Sequence, residues 1–150
     1  MKACTFFGHS NCPVESIKDD LRKAIAQLIE VEKIDTFYVG NQGNYDALVL
    51  RTLRSMSQQY PFVQYNVVLA YIPTGTELES WYPGETLLPD GIESVYKKFA
   101  ISYRNRWMLE QSQYVIAYVV NTYGGAYQFV QKAIRSKKTV INIAEKAKRS

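Results

Sequence analysis

The chain is poor in the residues that build metal centres and covalent cross-links. Its 150 residues include one histidine, His9, and two cysteines, Cys4 and Cys12. Two cysteines exclude a disulfide framework and point to a cytoplasmic location. No second histidine or carboxylate completes a ligand set with His9, Cys4 and Cys12, so no metal site is expected. Long apolar runs are also missing. None approaches the roughly 20 residues needed to cross a bilayer, so no membrane association is expected. Met1-Lys2 leads almost directly into the strand-like Ala3–Phe7, with no signal-peptide pattern. Repeats and low-complexity tracts are absent, and residues 1–150 read as a single domain.

Charge is unevenly placed. Residues 1–96 carry 7 basic and 12 acidic side chains, whereas residues 97–150 carry 11 basic and 2 acidic ones. The basic half can steer a phosphorylated small ligand or nucleic acid. Much of it is terminal, however, and Lys146, Lys148 and Arg149 read as a solvated tail.

Strand-like and helix-like segments alternate along the chain. Strands are expected at Ala3–Phe7, Thr36–Val39, Asn66–Tyr71, Tyr114–Val120 and Thr139–Ile143. Helical periods fill Glu15–Val31, a segment from Ala47 to Met56, Gly91–Phe99, Ser102–Gln111 and roughly 125–136. Residues 72–90, with three prolines and two glycines, read as a long excursion, a lid or the rim of a site. Apolar strands without visible alternation, interleaved with helices, imply a mostly parallel sheet covered on both faces. The expected fold is therefore α/β, a Rossmann-like three-layer sandwich around a sheet of about five strands.

In such sheets ligands bind beyond the carboxyl ends of the strands. Those ends here are Gly8-His9-Ser10, Gly40-Asn41-Gln42-Gly43-Asn44, Tyr71–Pro73, and Asn121–Gly125. Glycine beside small polar residues suits a close approach of backbone N–H groups to phosphate. The strongest signal is Gly124-Gly125, which opens a helix after an apolar strand, with Arg104-Asn105-Arg106-Trp107-Met108 one helix upstream. Arg104 suits bidentate phosphate recognition, and its offset from Glu110 is poor for helical pairing. Arg106 reads as solvated, while Trp107 and Met108 read as packing residues.

Other residues keep two readings. His9 is either a donor to the ligand or a turn residue satisfied by local backbone. Asp46 either bonds a ribose hydroxyl or caps the following helix. Cys12 lies in a loop where an activated thiol is conceivable, whereas Cys4 reads as a small buried hydrophobe. Glu79, Glu85 and Glu93 are carboxylates on or beside the excursion and read as solvated. Glu93, with Asp46, is the candidate for acid–base work. Of twelve tyrosines, Tyr123 and Tyr127 are the stacking candidates.

Several fragments together resemble the SLOG superfamily, in its YpsA-like branch. They are Phe6-Phe7-Gly8-His9, Tyr38-Val39-Gly40-x-x-Gly43-x-x-Asp46, Pro89-x-Gly91-Ile92-Glu93, Ala100-Ile101-x-x-Arg104-Asn105-x-x-Met108, and Gly124-Gly125-Ala126-Tyr127. The resemblance implies a Rossmann-like domain that binds a nucleotide or nucleotide derivative, acting as a sensor or regulator. The superfamily also includes the LOG phosphoribohydrolases, whose turn carries a glutamate that helps to cleave an N-glycosidic bond. The present chain has Gln128 and Gln131 in that neighbourhood, and an amide cannot exchange a proton near neutral pH. Hydrolysis is the alternative, through a displaced carboxylate. Single-stranded nucleic-acid binding, as in the related DprA proteins, ranks last. The partner expected is thus a nucleotide-like small molecule. No cofactor is implied, and exposed aromatics permit a homodimer.

Overall fold

The computed structural model describes residues 2–145, so the tail positions Lys146, Lys148 and Arg149 lie outside the described residues. Apolar runs that look uniform in sequence divide cleanly between two faces. Along β1 (Ala3–Gly8), Cys4 and Phe6 face one layer, and Ala3 and Phe7 the other. This is the period of two of an extended chain buried on both sides.

Among the described residues six parallel strands form one sheet: β1, β2 (Thr36–Val39), β3 (Gln64–Val68), β4 (Thr86–Leu87), β5 (Tyr114–Tyr118) and β6 (Thr139–Asn142). Their order is β4-β3-β2-β1-β5-β6. One face is covered by α1 (Val14–Glu30) and α2 (Gly43–Gln59), through Ile17, Leu21, Leu28, Leu48, Leu53 and Met56. The other is covered by α3 (Ala100–Gln111) and α4 (Gly125–Arg135), through Met108, Leu109, Phe129, Val130 and Ala133. The chain is an α/β Rossmann-like three-layer sandwich. Among the described residues no helix is long and apolar enough to cross a membrane.

Among the departures from the sequence expectation are a β3 that begins earlier, a sixth strand where about five were expected, and a lost helix. β3 begins at Gln64, earlier than the apolar run, because the Gln64 N–H donates to the Asp35 carbonyl at 2.8 Å and extends the ladder with polar residues. β4 lies inside the excursion, pairing Thr86 and Leu87 with Val67 and Val68. Two residues leave no periodic signature. The helix expected over Gly91–Phe99 is instead two 3₁₀ turns, Ile92–Ser94 and Lys97–Phe99, separated by extended backbone at Val95.

The excursion is tied down by a buried carboxylate. Glu85, expected as a solvated acid, is 4% exposed. It accepts from Arg54 Nε at 2.8 Å and Nη2 at 2.6 Å, from the Tyr65 hydroxyl at 2.6 Å and from the Tyr82 N–H at 3.1 Å. Burial pushes its carboxyl up, but these four donors outweigh that and leave its pKa below the usual value.

Candidate functional site

The strand order reverses at β1, which has β2 on one side and β5 on the other. Such a switch point separates the loops that leave the two central strands and opens a crevice between them. A cavity of about 610 Å³ occupies this position, within the range of small-molecule sites. Its walls come from four places. The loop after β1 supplies Gly8, His9, Ser10 and Asn11, and the start of α2 supplies Gln42 and Asp46. The inner face of α3 supplies Arg104, Asn105 and Met108, and the loop after β5 supplies Asn121, Tyr123, Gly124 and Gly125.

The glycines at this edge are glycine for different reasons. A Cβ on Gly8 would strike the ring of Tyr45, which crosses it to donate from its hydroxyl to the Ile116 carbonyl at 2.9 Å. One on Gly43 would strike Ser10. Both residues serve packing between the β1 loop and α2. Gly124 and Gly125 differ, since a Cβ on either would meet nothing within 4 Å. Gly124 precedes α4 with φ 93° and ψ 172°, a conformation essentially confined to glycine. No side chain caps the helix, and its first internal bond runs from the Gln128 N–H to the Gly124 carbonyl. The N–H groups of Gly125, Ala126 and Tyr127 therefore have no helical acceptor. They give the turn positive potential, and an anion suits it.

Arg104 is 1% exposed, one of the largest fully buried side chains among the described residues. Its Nε donates to Asn105 Oδ1 at 2.7 Å, and its Nη1 to the Val68 carbonyl at 2.9 Å and Asn41 Oδ1 at 3.1 Å. Among the described residues Nη2 has no partner. No buried side-chain nitrogen or oxygen is left unpaired there, so Nη2 opens onto the cleft that Arg104 lines. Burial lowers the guanidinium pKa, and the Asp46 carboxylate partly offsets this.

Asp46 lies across Gly40 from Arg104. A Cβ on Gly40 would stand 2.9 Å from Arg104 Cζ and 3.0 Å from Asp46 Oδ2, so only glycine lets the two side chains come this close. Oδ2 accepts the Gln42 N–H at 2.9 Å, capping the start of α2. Oδ1 has no partner among the described residues and, by the same argument, opens onto the cleft. Enclosure of the carboxyl raises its pKa to about 6, against the lowering effects of the Gln42 N–H and of Arg104. Of the two readings of Asp46, the structure shows the one at the start of α2, through Oδ2.

His9 resolves toward the backbone. Its Nε2 accepts from the Val120 N–H at 2.9 Å and the Asn121 N–H at 3.3 Å, which makes it a neutral imidazole with its proton on Nδ1. Burial lowers its pKa. Asn142 holds the same loop from the other side, bonding Val119 through both N–H and carbonyl. The hinge before α4 is thereby positioned by two side chains.

The remaining candidates separate. Ser10 and Asn105 line the cleft, and Tyr123 stands at its rim, 69% exposed. Tyr127 faces a neighbouring hollow with Gln131 and Lys138. Glu93 sits exposed on a 3₁₀ turn and does not line the cleft. Cys12 is buried, its thiol pushed up by burial and by Asp46, so it is not an activated thiol. Among the described residues no three His, Cys, Asp or Glu side chains converge as metal ligands. Sequence reading missed Asn41, Gln42 and Asn142, ordinary turn or strand-end amides whose roles depend on partners distant in sequence. Against models of known protein families and against curated proteins, the chain has no match.

Proposed function

We propose that the chain binds a nucleotide or nucleotide derivative in the switch-point cleft and acts as a sensor or regulator of the SLOG type. The observation that carries this is the open hinge at Gly124-Gly125. Its uncapped N–H groups share one cavity with a buried guanidinium that keeps one edge free. A phosphate is the group that such amides and such a cation suit together. The rest of the cavity, with Met108, Ile101 and Phe7 in its walls, leaves an apolar surface for a base.

Thermal shift with ribonucleoside phosphates tests the reading. A ligand at about 100 times its Kd should raise Tm by about 5–10 °C. Gly125→Asp is the informative variant. Its side chain enters open space, and a carboxylate in the first turn favours the helix, so the free protein should be as stable as the parent. The same carboxylate occupies the anion position and should abolish the ligand-induced shift. A full shift in this variant refutes the site.

The hydrolase alternative keeps one supporting observation. Asp46, with its pKa near 6, is a carboxylate in the cleft able to exchange protons at neutral pH. Assay of the same samples for free base distinguishes it from a sensor.

A further inference from the structure

The helix α3 turns one stripe toward the cleft. Ile101, Arg104, Asn105 and Met108, at helical positions i, i+3, i+4 and i+7, all stand in its wall. Two of the four are apolar, and one is the buried guanidinium. The fourth, Asn105, is half-buried, with Ile101 one turn before it and Met108 one turn after it. Its amide has one possible orientation. Arg104 Nε approaches the amide at 2.7 Å, and arginine carries donors only, so the atom facing Nε is the carbonyl oxygen. A rotated amide would set its NH2 against the guanidinium. Arg104 is not free to turn away, because its Nη1 is held by the Val68 carbonyl and by Asn41 Oδ1. Asn105 Nδ2 donates to no protein acceptor among the described residues. No buried side-chain nitrogen there is left unpaired, so Nδ2 is open, on a residue that lines the cleft. The apolar strip of α3 thus carries one donor whose direction is fixed from behind.

Resting on the nucleotide reading above, we propose that Asn105 reads the edge of the base and selects bases that present a carbonyl oxygen over bases that present an amine. Hypoxanthine, guanine and uracil belong to the first class, adenine and cytosine to the second. A base laid against Ile101 and Met108 brings its edge to the amide between them. A carbonyl accepts from Nδ2. An exocyclic amine sets donor against donor and leaves both short of an acceptor. An amide that recognises adenine through two bonds donates to N7 and accepts from the N6 amine. Asn105 has its oxygen turned to Arg104, so that contact is closed to it. Arg104 is therefore a positioning residue for the base reader, because it keeps the amide from rotating to suit either class.

Titration calorimetry with two pairs of 5′-monophosphates tests this: inosine against adenosine, and uridine against cytidine. Within each pair the ring size, sugar and phosphate are shared, so the affinity ratio isolates the exchange of carbonyl for amine. The variant is Asn105→Asp. One carboxylate oxygen keeps the bond from Arg104 Nε, so the free protein should melt as the parent does. The other oxygen puts an acceptor where the donor stood. Its charge also repels the phosphate, but that factor is common to a pair and cancels in the ratio. For whichever pair binds, the parent should prefer the carbonyl member by about 10- to 100-fold, and in Asn105→Asp the order should reverse. Equal affinities in the parent, or a preference for the amine, overturn the proposal. So does a carbonyl preference that survives in Asn105→Asp, since the base is then read elsewhere. If none of the four nucleotides binds, the nucleotide reading itself fails, an outcome distinct from binding with the wrong preference.

Discussion

His9 shows how one side chain can position the backbone at the edge of a cleft. Its Nε2 accepts two N–H groups of the loop that leads into Gly124. Protonation turns that acceptor into a donor and removes both bonds, each of about 1 kcal/mol net. Because the folded pKa is lowered, the unfolded chain takes up the proton first as pH falls. The contribution of His9 is therefore complete above about pH 6.5 and lost below it. Asp46 works in the opposite direction. Its raised pKa lets the folded state hold a proton up to about pH 6, so its burial is unfavourable above that pH and relieved below it. The two effects overlap, and only a variant separates them. Glutamine at position 9 offers a carbonyl oxygen that does not titrate. Relative to His9→Gln, the parent should lose Tm and nucleotide affinity as pH drops from about 7.5 to 5.5. Parallel pH profiles for the two proteins would show that the imidazole does not hold the loop.

At the scale of elements, the excursion shows why an irregular segment can be rigid. Residues 72–90 have little regular structure beyond one 3₁₀ turn and two residues of β4. They are secured by Glu85, whose side chain is 1% exposed and links α2 through Arg54, β3 through Tyr65 and the segment's own Tyr82. Arg54 also stacks 4.3 Å from the Tyr82 ring centroid. Removing the carboxylate leaves a guanidinium, a phenol and an N–H short of an acceptor. Arg54 remains a quarter exposed, so water recovers part of the loss. Glu85→Ala should cost about 2–3 kcal/mol, and proteolysis should cut first between residues 72 and 84. A Tm within a degree of the parent would contradict this role. The same cluster shows what a sequence conceals. Glu85 sits among prolines and glycines and looks solvated, because its donors lie 20 and 31 residues away. By contrast, β1, β2 and β5 were legible as uniform apolar runs, and α1, α2 and α4 as helical segments between them. The hinge and Arg104 were legible for the same reason, being placed by elements that declare themselves. Asn41, Asn142 and the purpose of Gly40 were not, because their meaning lies in cross-chain distances.

For the whole molecule, topology turns an uneven charge pattern into a spatial one. The excess of acids in residues 1–96 includes Glu77, Glu79, Asp90 and Glu93 on and beside the excursion, at the β4 end of the sheet. The basic half folds into α3, α4 and β6 at the other end, where Arg106, Lys132 and Lys138 line a shared hollow with Glu110. The cleft lies between these ends and presents its own buried cation. A small anion is thus drawn by the field of the basic side but held by groups shielded from salt. A polyanion would instead lie on the exposed lysines and release counterions in proportion to the phosphates covered. The two modes separate by ionic strength. Between about 50 and 500 mM salt, nucleotide affinity should fall by less than about tenfold, as a single phosphate contact requires. A single-stranded oligonucleotide covering the three cations of the α3–α4 hollow would lose about 100-fold over the same range. Tight oligonucleotide binding with that steep slope, and no binding of mononucleotides, would move the functional surface from the switch point to the α3–α4 face. The buried Arg104 and the apolar residues in the walls of the cleft argue for the other outcome, because the exposed cations of the α3–α4 hollow do not line it.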